Sequence, residues 1–187
     1  MKKLLFTLPL LALTNLAVHG QGYIYFANYD QGLTVEKRIS DEVTGDYVTS
    51  SFQAQLFVGP NGSLASVLSS VDSPVQFVDS PPGSEGEFVG YDMPLAGFNP
   101  GDTVTLEVRV WPTTYATWNQ AYIAALSDAN IHVGRSGAFT LVLGTLVSPT
   151  EMVTYMPLFT VGIIPEPSTM WLGGLGLGMM FLRRRSA

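Results

Sequence analysis

Between residues 21 and 163 apolar side chains recur at every second position, most cleanly over residues 103–111. There Val104, Leu106, Val108 and Val110 alternate with Thr105, Glu107 and Arg109, so an extended chain turns one set toward a core and the other toward water. This predicts a strand of an antiparallel sheet with one wet face. Glu107 and Arg109 would pair on that face for about 0–1 kcal/mol. Similar but weaker patterns predict strands over residues 23–28, 33–39, 52–58, 75–78, 87–91, 138–143 and 158–163. Turn chemistry separates them at Gly45-Asp46, Pro60-Asn61-Gly62, Ser80-Pro81-Pro82-Gly83 and Asn99-Pro100-Gly101-Asp102. Eight short strands cut in this way predict an all-β fold, a single antiparallel β-sandwich or jelly-roll-like domain, with a barrel as the alternative. Residues 118–130 break the rhythm. Trp118, Tyr122, Ala125 and Ala129 share a stripe at helical spacing, which predicts a short helical excursion across one end of the sandwich. Residues 150–157 carry no clear pattern.

The two ends follow other rules. Lys2 and Lys3 precede the apolar run 4–13, and small residues follow near Val18 and Gly20, the three-region layout of a secretory signal peptide. Cleavage by signal peptidase is expected after Gly20, leaving Gln21 as the first residue. At the other end Pro165 and Pro167 lack backbone donors and fix φ, so no helix runs through them from upstream, and Glu166 keeps the segment out of hydrocarbon. Ser168 or Thr169 then caps a helix beginning at Met170. The uncharged run 170–182 holds 13 residues, and its membrane-facing material includes Met170, Trp171, Leu172, Leu175, Leu177, Phe181 and Leu182. It covers roughly 20 Å as a helix, against about 30 Å of bilayer hydrocarbon. Such a marginal span suits a temporary hold, and Arg183, Arg184 and Arg185 beyond it favour a cytoplasmic end. Gly173, Gly174, Gly176 and Gly178 argue against a buried soluble helix, at about 1 kcal/mol each relative to alanine.

The order of Pro165-Glu166-Pro167, short apolar helix and arginine cluster resembles the PEP-CTERM sorting signal of exported proteins in Gram-negative bacteria. The resemblance covers only about the last 23 residues, and Ile164 stands where the family often has valine. It implies that Pro165, Glu166 and Pro167 form a motif recognised and cut by an exosortase, a membrane transpeptidase-like enzyme. It also implies that residues 170–182 are held transiently in the inner membrane and that Arg183 to Arg185 are the cytoplasmic stop. Association with exopolysaccharide, the cell surface or the extracellular matrix follows from the same resemblance. The middle of the chain resembles short PEP-CTERM proteins more weakly, through Gln21-Gly22, Asn28, residues 54–59, Val108-Arg109-Val110-Trp111 and residues 134–139. That likeness implies no activity.

Charge narrows the partners. Between residues 21 and 169 the four bases Lys37, Arg38, Arg109 and Arg135 face all 15 acids of the chain, a net charge of −11 against −6 for the whole. So acidic a segment repels nucleic acid and anionic lipid, and no nucleic-acid partner is expected. The absence of cysteine excludes disulfides, thiol catalysis and thiolate metal sites. A domain of this length buries enough surface to fold without such cross-links.

Catalytic material is thin. His19 leaves with the signal peptide, so His132 is the remaining imidazole. A triad drawn from Ser136, His132 and Asp128 joins sequence neighbours, which rarely form that geometry, and no nucleophile-elbow motif accompanies it. The acids Asp41, Glu42, Asp46, Glu85, Glu87 and Asp92 supply material for a glycosidase pair, but as neighbours in turns they read as solvated charges. No metal or other cofactor is expected. Trp111, Tyr115, Trp118 and Tyr122 fall within twelve residues and offer rings for stacking on sugar faces, although such rings more commonly close the end of a sandwich. The expectation is a noncatalytic exported β-domain. A carbohydrate-binding module is the alternative, and a carboxylate-dependent glycan hydrolase comes third.

Overall fold

The computed structural model describes residues 20–32 and 34–164. The N-terminal run before Gly20, expected to be a signal peptide, and the Pro-Glu-Pro, apolar run and arginines after Ile164 lie outside the described residues. Among the described residues no helix is long and apolar enough to cross a membrane.

A nine-pair antiparallel ladder organises the larger sheet. Strand β2 (Phe52–Pro60) lies along β5 (Thr103–Pro112), from Phe52 opposite Pro112 to Pro60 opposite Val104. Strand β3 (Ser69–Gln76) pairs with the far edge of β2, and β6 (Gly134–Arg135) and β7 (Phe139–Val142) pair in succession with the far edge of β5. One extra residue sits between β6 and β7, where Gly137 takes φ +71° and the Ser136 Oγ accepts from the Val108 N–H at 3.0 Å. The hydroxyl thus serves a donor that the bulge leaves without its ladder partner.

The smaller sheet has β1 (Gly22–Phe26) between β4 (Tyr91–Leu95) and the two-residue β8 (Thr150–Glu151). β4 runs antiparallel to β1, whereas β8 is parallel to it, so the expectation of antiparallel pairing fails for this edge. Ile24, Phe26, Met93 and Leu95 from this sheet join Ala54, Leu56, Val104, Leu106, Val108 and Val110 from the larger one in a single buried cluster. The fold is all-β in two sheets. The short helix α1 (Trp118–Ala125) falls where the aromatic and alanine stripe predicts it, and a single helical turn α2 (Met152–Tyr155) places Met152, Val153 and Met156 in buried positions.

Three predicted strands are not strands. Residues 33–39 give only the bridge between Tyr29 and Glu36, because the Asp30 carboxylate takes the N–H groups of Thr34 (2.6 Å) and Val35 (3.1 Å) and turns the chain. Leu33 itself lies outside the described residues. Residues 87–91 give one bridge, Phe77 to Phe88, before β4 starts at Tyr91. Here side chains take the backbone donors: Phe88 N–H donates to Asn28 Oδ1 and Gly90 N–H to the Tyr29 hydroxyl, each at 3.2 Å. Residues 158–163 touch two different neighbours through single bridges, Val161 to Asp41 and Gly162 to Val133. β3 overlaps its predicted span only at residues 75 and 76 and begins six residues earlier, in the largely polar run 69–73, which suits an exposed edge.

The wet face of β5 is a larger correction. Thr105 and Glu107 are buried and Arg109 is nearly so. The turn after β2, with a 3₁₀ turn at Ala65–Val67, and helix α1 fold over that face.

Candidate functional site

On the covered face of β5 a second apolar cluster collects Phe57, Leu68, Trp111, Trp118, Ala121, Ala125 and Val133. Helix α1 is fixed there at its start, where the Thr117 hydroxyl accepts from the Gln120 N–H at 3.3 Å. The Glu107–Arg109 pair lies beneath this cover. Arg109 Nε donates to Glu107 Oε1 at 2.6 Å and a terminal nitrogen donates to the Ala65 carbonyl at 2.8 Å. The guanidinium carbon sits 3.9 Å from the centroid of the Phe57 ring, a close cation–π stack. Glu107 Oε2 is buried with no partner among the described residues. The pair is therefore desolvated, and the small energy assigned to an exposed pair does not apply.

The end of the described chain is clamped against this cluster. Val161 N–H donates to the Ser40 carbonyl and Glu42 N–H to the Val161 carbonyl, while Val133 and Gly162 exchange both backbone bonds, all at 2.9–3.0 Å. Ile164 then packs on the second cluster. The fit at Gly134 is close, since a Cβ there would collide with the Thr160 carbonyl. Across the same junction His132 Nδ1 hydrogen-bonds to Asp41 Oδ2, tying the 40–47 turn to the segment before β6.

Burial opposes ionisation of Asp41. The hydrogen bond and charge of His132 and the N–H groups of Val43 and Thr44 outweigh it, and the carboxyl is held below its usual range. A depressed folded pKa contributes stability that is present above the ordinary carboxylate value and lost as pH falls through the folded one. Asp41→Asn should therefore lower the urea midpoint at pH 7, with the gap to wild type shrinking toward pH 3. A gap that stays constant between those pH values would contradict this account.

The clamped segment and α1 enclose a cleft of about 230 Å³ whose walls include Glu42, Trp118, Tyr122, Arg135, Thr160 and Ile164. Two of the four candidate glycan-contact aromatics line this cleft, Tyr122 half-buried and Trp118 buried behind it at 7% exposure, with ring centroids 5.6 Å apart and planes tilted by 32°. The other two serve the fold. Trp111 is fully buried, edge-on to Trp118 at 6.1 Å, and its indole N–H donates to the Tyr115 carbonyl at 2.9 Å. Tyr115 packs half-buried on the same cluster. Larger hollows of 460 Å³ beside β3 and 350 Å³ beside Arg38 and Tyr47 contain neither aromatic of the pair.

The three members of the candidate triad are not brought together. Ser136 Oγ donates to the Gly137 carbonyl, His132 meets Asp41, and Asp128 accepts from Asn130. Glu87 pairs with Arg38 at 2.9 Å, Glu85 accepts from the Gly83 N–H, and Glu42 faces the cleft. Among the described residues no group of three or more His, Asp or Glu side chains is placed to hold a metal ion. The sequence pattern gave no sign of Glu42, Arg135 and Thr160 as cleft residues, because they come from segments far apart in the chain.

The cleft thus stands where the folded domain hands over to the tail, and the family comparison starts at the same residue. The family model described as the PEP-CTERM protein-sorting motif matches residues 164–185. The chain carries that motif, the signal of exported proteins sorted by exosortase-type enzymes in Gram-negative bacteria. No curated protein and no solved structure matches the chain.

Proposed function

We propose that the chain is a noncatalytic β-domain held at the inner membrane through residues 170–182, cut at Pro165-Glu166-Pro167 by an exosortase-type enzyme, and then displayed at the surface or in the extracellular matrix. The observation that carries this reading is the sorting-motif match beginning at Ile164, which itself packs on the second cluster of the domain. In this reading residues 1–20 are the signal peptide, residues 21–163 the displayed domain and residues 164–187 the sorting signal. The two sheets form a sandwich, supported by their shared buried cluster. Mass spectrometry of the protein from an exosortase-bearing host should find a chain beginning at Gln21 and ending between Pro165 and Thr169. Full-length material in that host would overturn the processing reading, and a retained Met1 would overturn the signal peptide.

A second reading has one specific support, the convergence of Trp118 and Tyr122 on the cleft. In it the displayed domain binds a polysaccharide there, exopolysaccharide being the chemistry nearest to hand. A glycan array bound by the wild type and lost in Tyr122→Ala would favour it.

A further inference from the structure

The cleft stands at the exit of the tail, and chain length limits where the tail can go. Ile164 is part of the cleft wall, and Glu166 is two residues on. Two extended residues reach at most about 7 Å, so the Glu166 backbone stays beside the cleft whatever path the tail takes. Charge complements this placement. Lys37 donates to the Met156 carbonyl, Arg38 pairs with Glu36 and Glu87, and Arg109 with Glu107. Arg135 alone of the four domain bases is exposed, makes no ion pair among the described residues and lines the cleft. Glu42 shares the wall, its Oε2 accepting from the Thr160 hydroxyl at 3.4 Å, and its charge opposes Glu166, so Arg135 has to outweigh it. Shape agrees as well. A proline-bracketed residue is already extended, and grooves lined by aromatic rings take such segments at little entropic cost.

We propose that the cleft is a docking site for the chain's own Pro165-Glu166-Pro167, with Glu166 paired to Arg135 and the prolines against the partly exposed Tyr122 ring, which the buried Trp118 backs. The processing enzyme then receives the motif only when it leaves the cleft, and the domain sets the rate at which its own tail is cut. This rests on the sorting reading for its consequence but not for its geometry.

The lack of cysteine makes the test clean. Full-length protein carrying Arg135→Cys and Glu166→Cys is expressed in a host without the enzyme, and its membranes are oxidised with diamide. The intramolecular disulfide is then followed by mass spectrometry. The comparison pair is Gln120→Cys with Glu166→Cys, Gln120 being exposed on the outer side of α1. Docking predicts a faster disulfide for the cleft pair than for the Gln120 pair, but so does the two-residue tether alone, so equal rates can overturn docking while the support for it must come from Tyr122. Docking also predicts that adding Tyr122→Ala to the cleft pair slows closure. Equal rates for the two pairs, or indifference to Tyr122→Ala, would overturn the proposal. In an exosortase-bearing host Arg135→Glu should speed processing by about two- to five-fold, the scale of one exposed ion pair. A host that never cuts the wild type would remove the sorting reading and leave the disulfide result standing.

Discussion

Replacing Arg109 with alanine is expected to destabilise the domain by about 3–5 kcal/mol, seen as a fall in the urea midpoint with the slope unchanged. The loss is large because of what remains. Glu107 is fully buried, one oxygen already has no partner among the described residues, and the other would lose its bond to Arg109 Nε. An uncompensated carboxylate under α1 and the Ala65 turn is much worse than a missing surface pair. The stack on Phe57 and the bond to the Ala65 carbonyl are lost as well. Against a total of about 5–15 kcal/mol for an ordinary domain, this is a large share. Arg109→Lys should fall between the two, since an ammonium keeps the charge but not the planar stack. The double substitution Glu107→Gln with Arg109→Met should regain much of the loss, because it removes both charges while keeping volume. A cost below about 1 kcal/mol for Arg109→Ala would mean that water reaches the pair, as it does for exposed pairs.

That face shows what a single strand reveals and what it conceals. Alternation along 103–111 places Val104, Leu106, Val108 and Val110 correctly in the core, and the same rule serves β2 and β7, where the ladders impose it. It reports the chemistry of the second face but not what lies over it. Phe57 stands opposite Glu107, and the turn after β2 closes on Arg109. One signal was present: Trp111 shares the parity of Thr105, Glu107 and Arg109, and an indole on a supposedly wet face points to cover. The lost strands have a different cause. Asp30, Asn28 and Tyr29 bond to main-chain N–H groups that a ladder would have used, and strand propensity does not register such competition. Of the cleft, the helical spacing of Trp118 and Tyr122 was readable. Arg135 was visible as a charge but not as a neighbour of Ile164, since that relation is made by backbone bonds between residues 40–42, 133 and 161–162.

Asn28→Ala should destabilise the domain by about 3 kcal/mol, although nothing in the alternation around Asn28 marks it out. Its side chain is fully buried and joins three segments: Nδ2 donates to the Gly86 carbonyl at 2.6 Å and the Lys37 carbonyl at 3.2 Å, and Oδ1 accepts from the Phe88 N–H. Alanine strands the Phe88 N–H and the Lys37 carbonyl, each costing about 1–3 kcal/mol where no other partner reaches it, while the Gly86 carbonyl keeps the Ile39 N–H. The Lys37 carbonyl bond is only part-buried and contributes at the lower end. Asn28→Asp tests the geometry rather than the volume. A carboxylate accepts from Phe88 as before but has no proton for Gly86 or Lys37 and sets negative charge against both carbonyls. At pH 7 it should be at least as damaging as alanine, and it should recover partly in acid as the carboxyl gains a proton to donate. Amide exchange at Phe88 locates the effect: it accelerates in Asn28→Ala relative to Val108, whose N–H is held by Ser136 on the other sheet. If both amides accelerate equally, the loss is global and Asn28 is not the local tie between these segments.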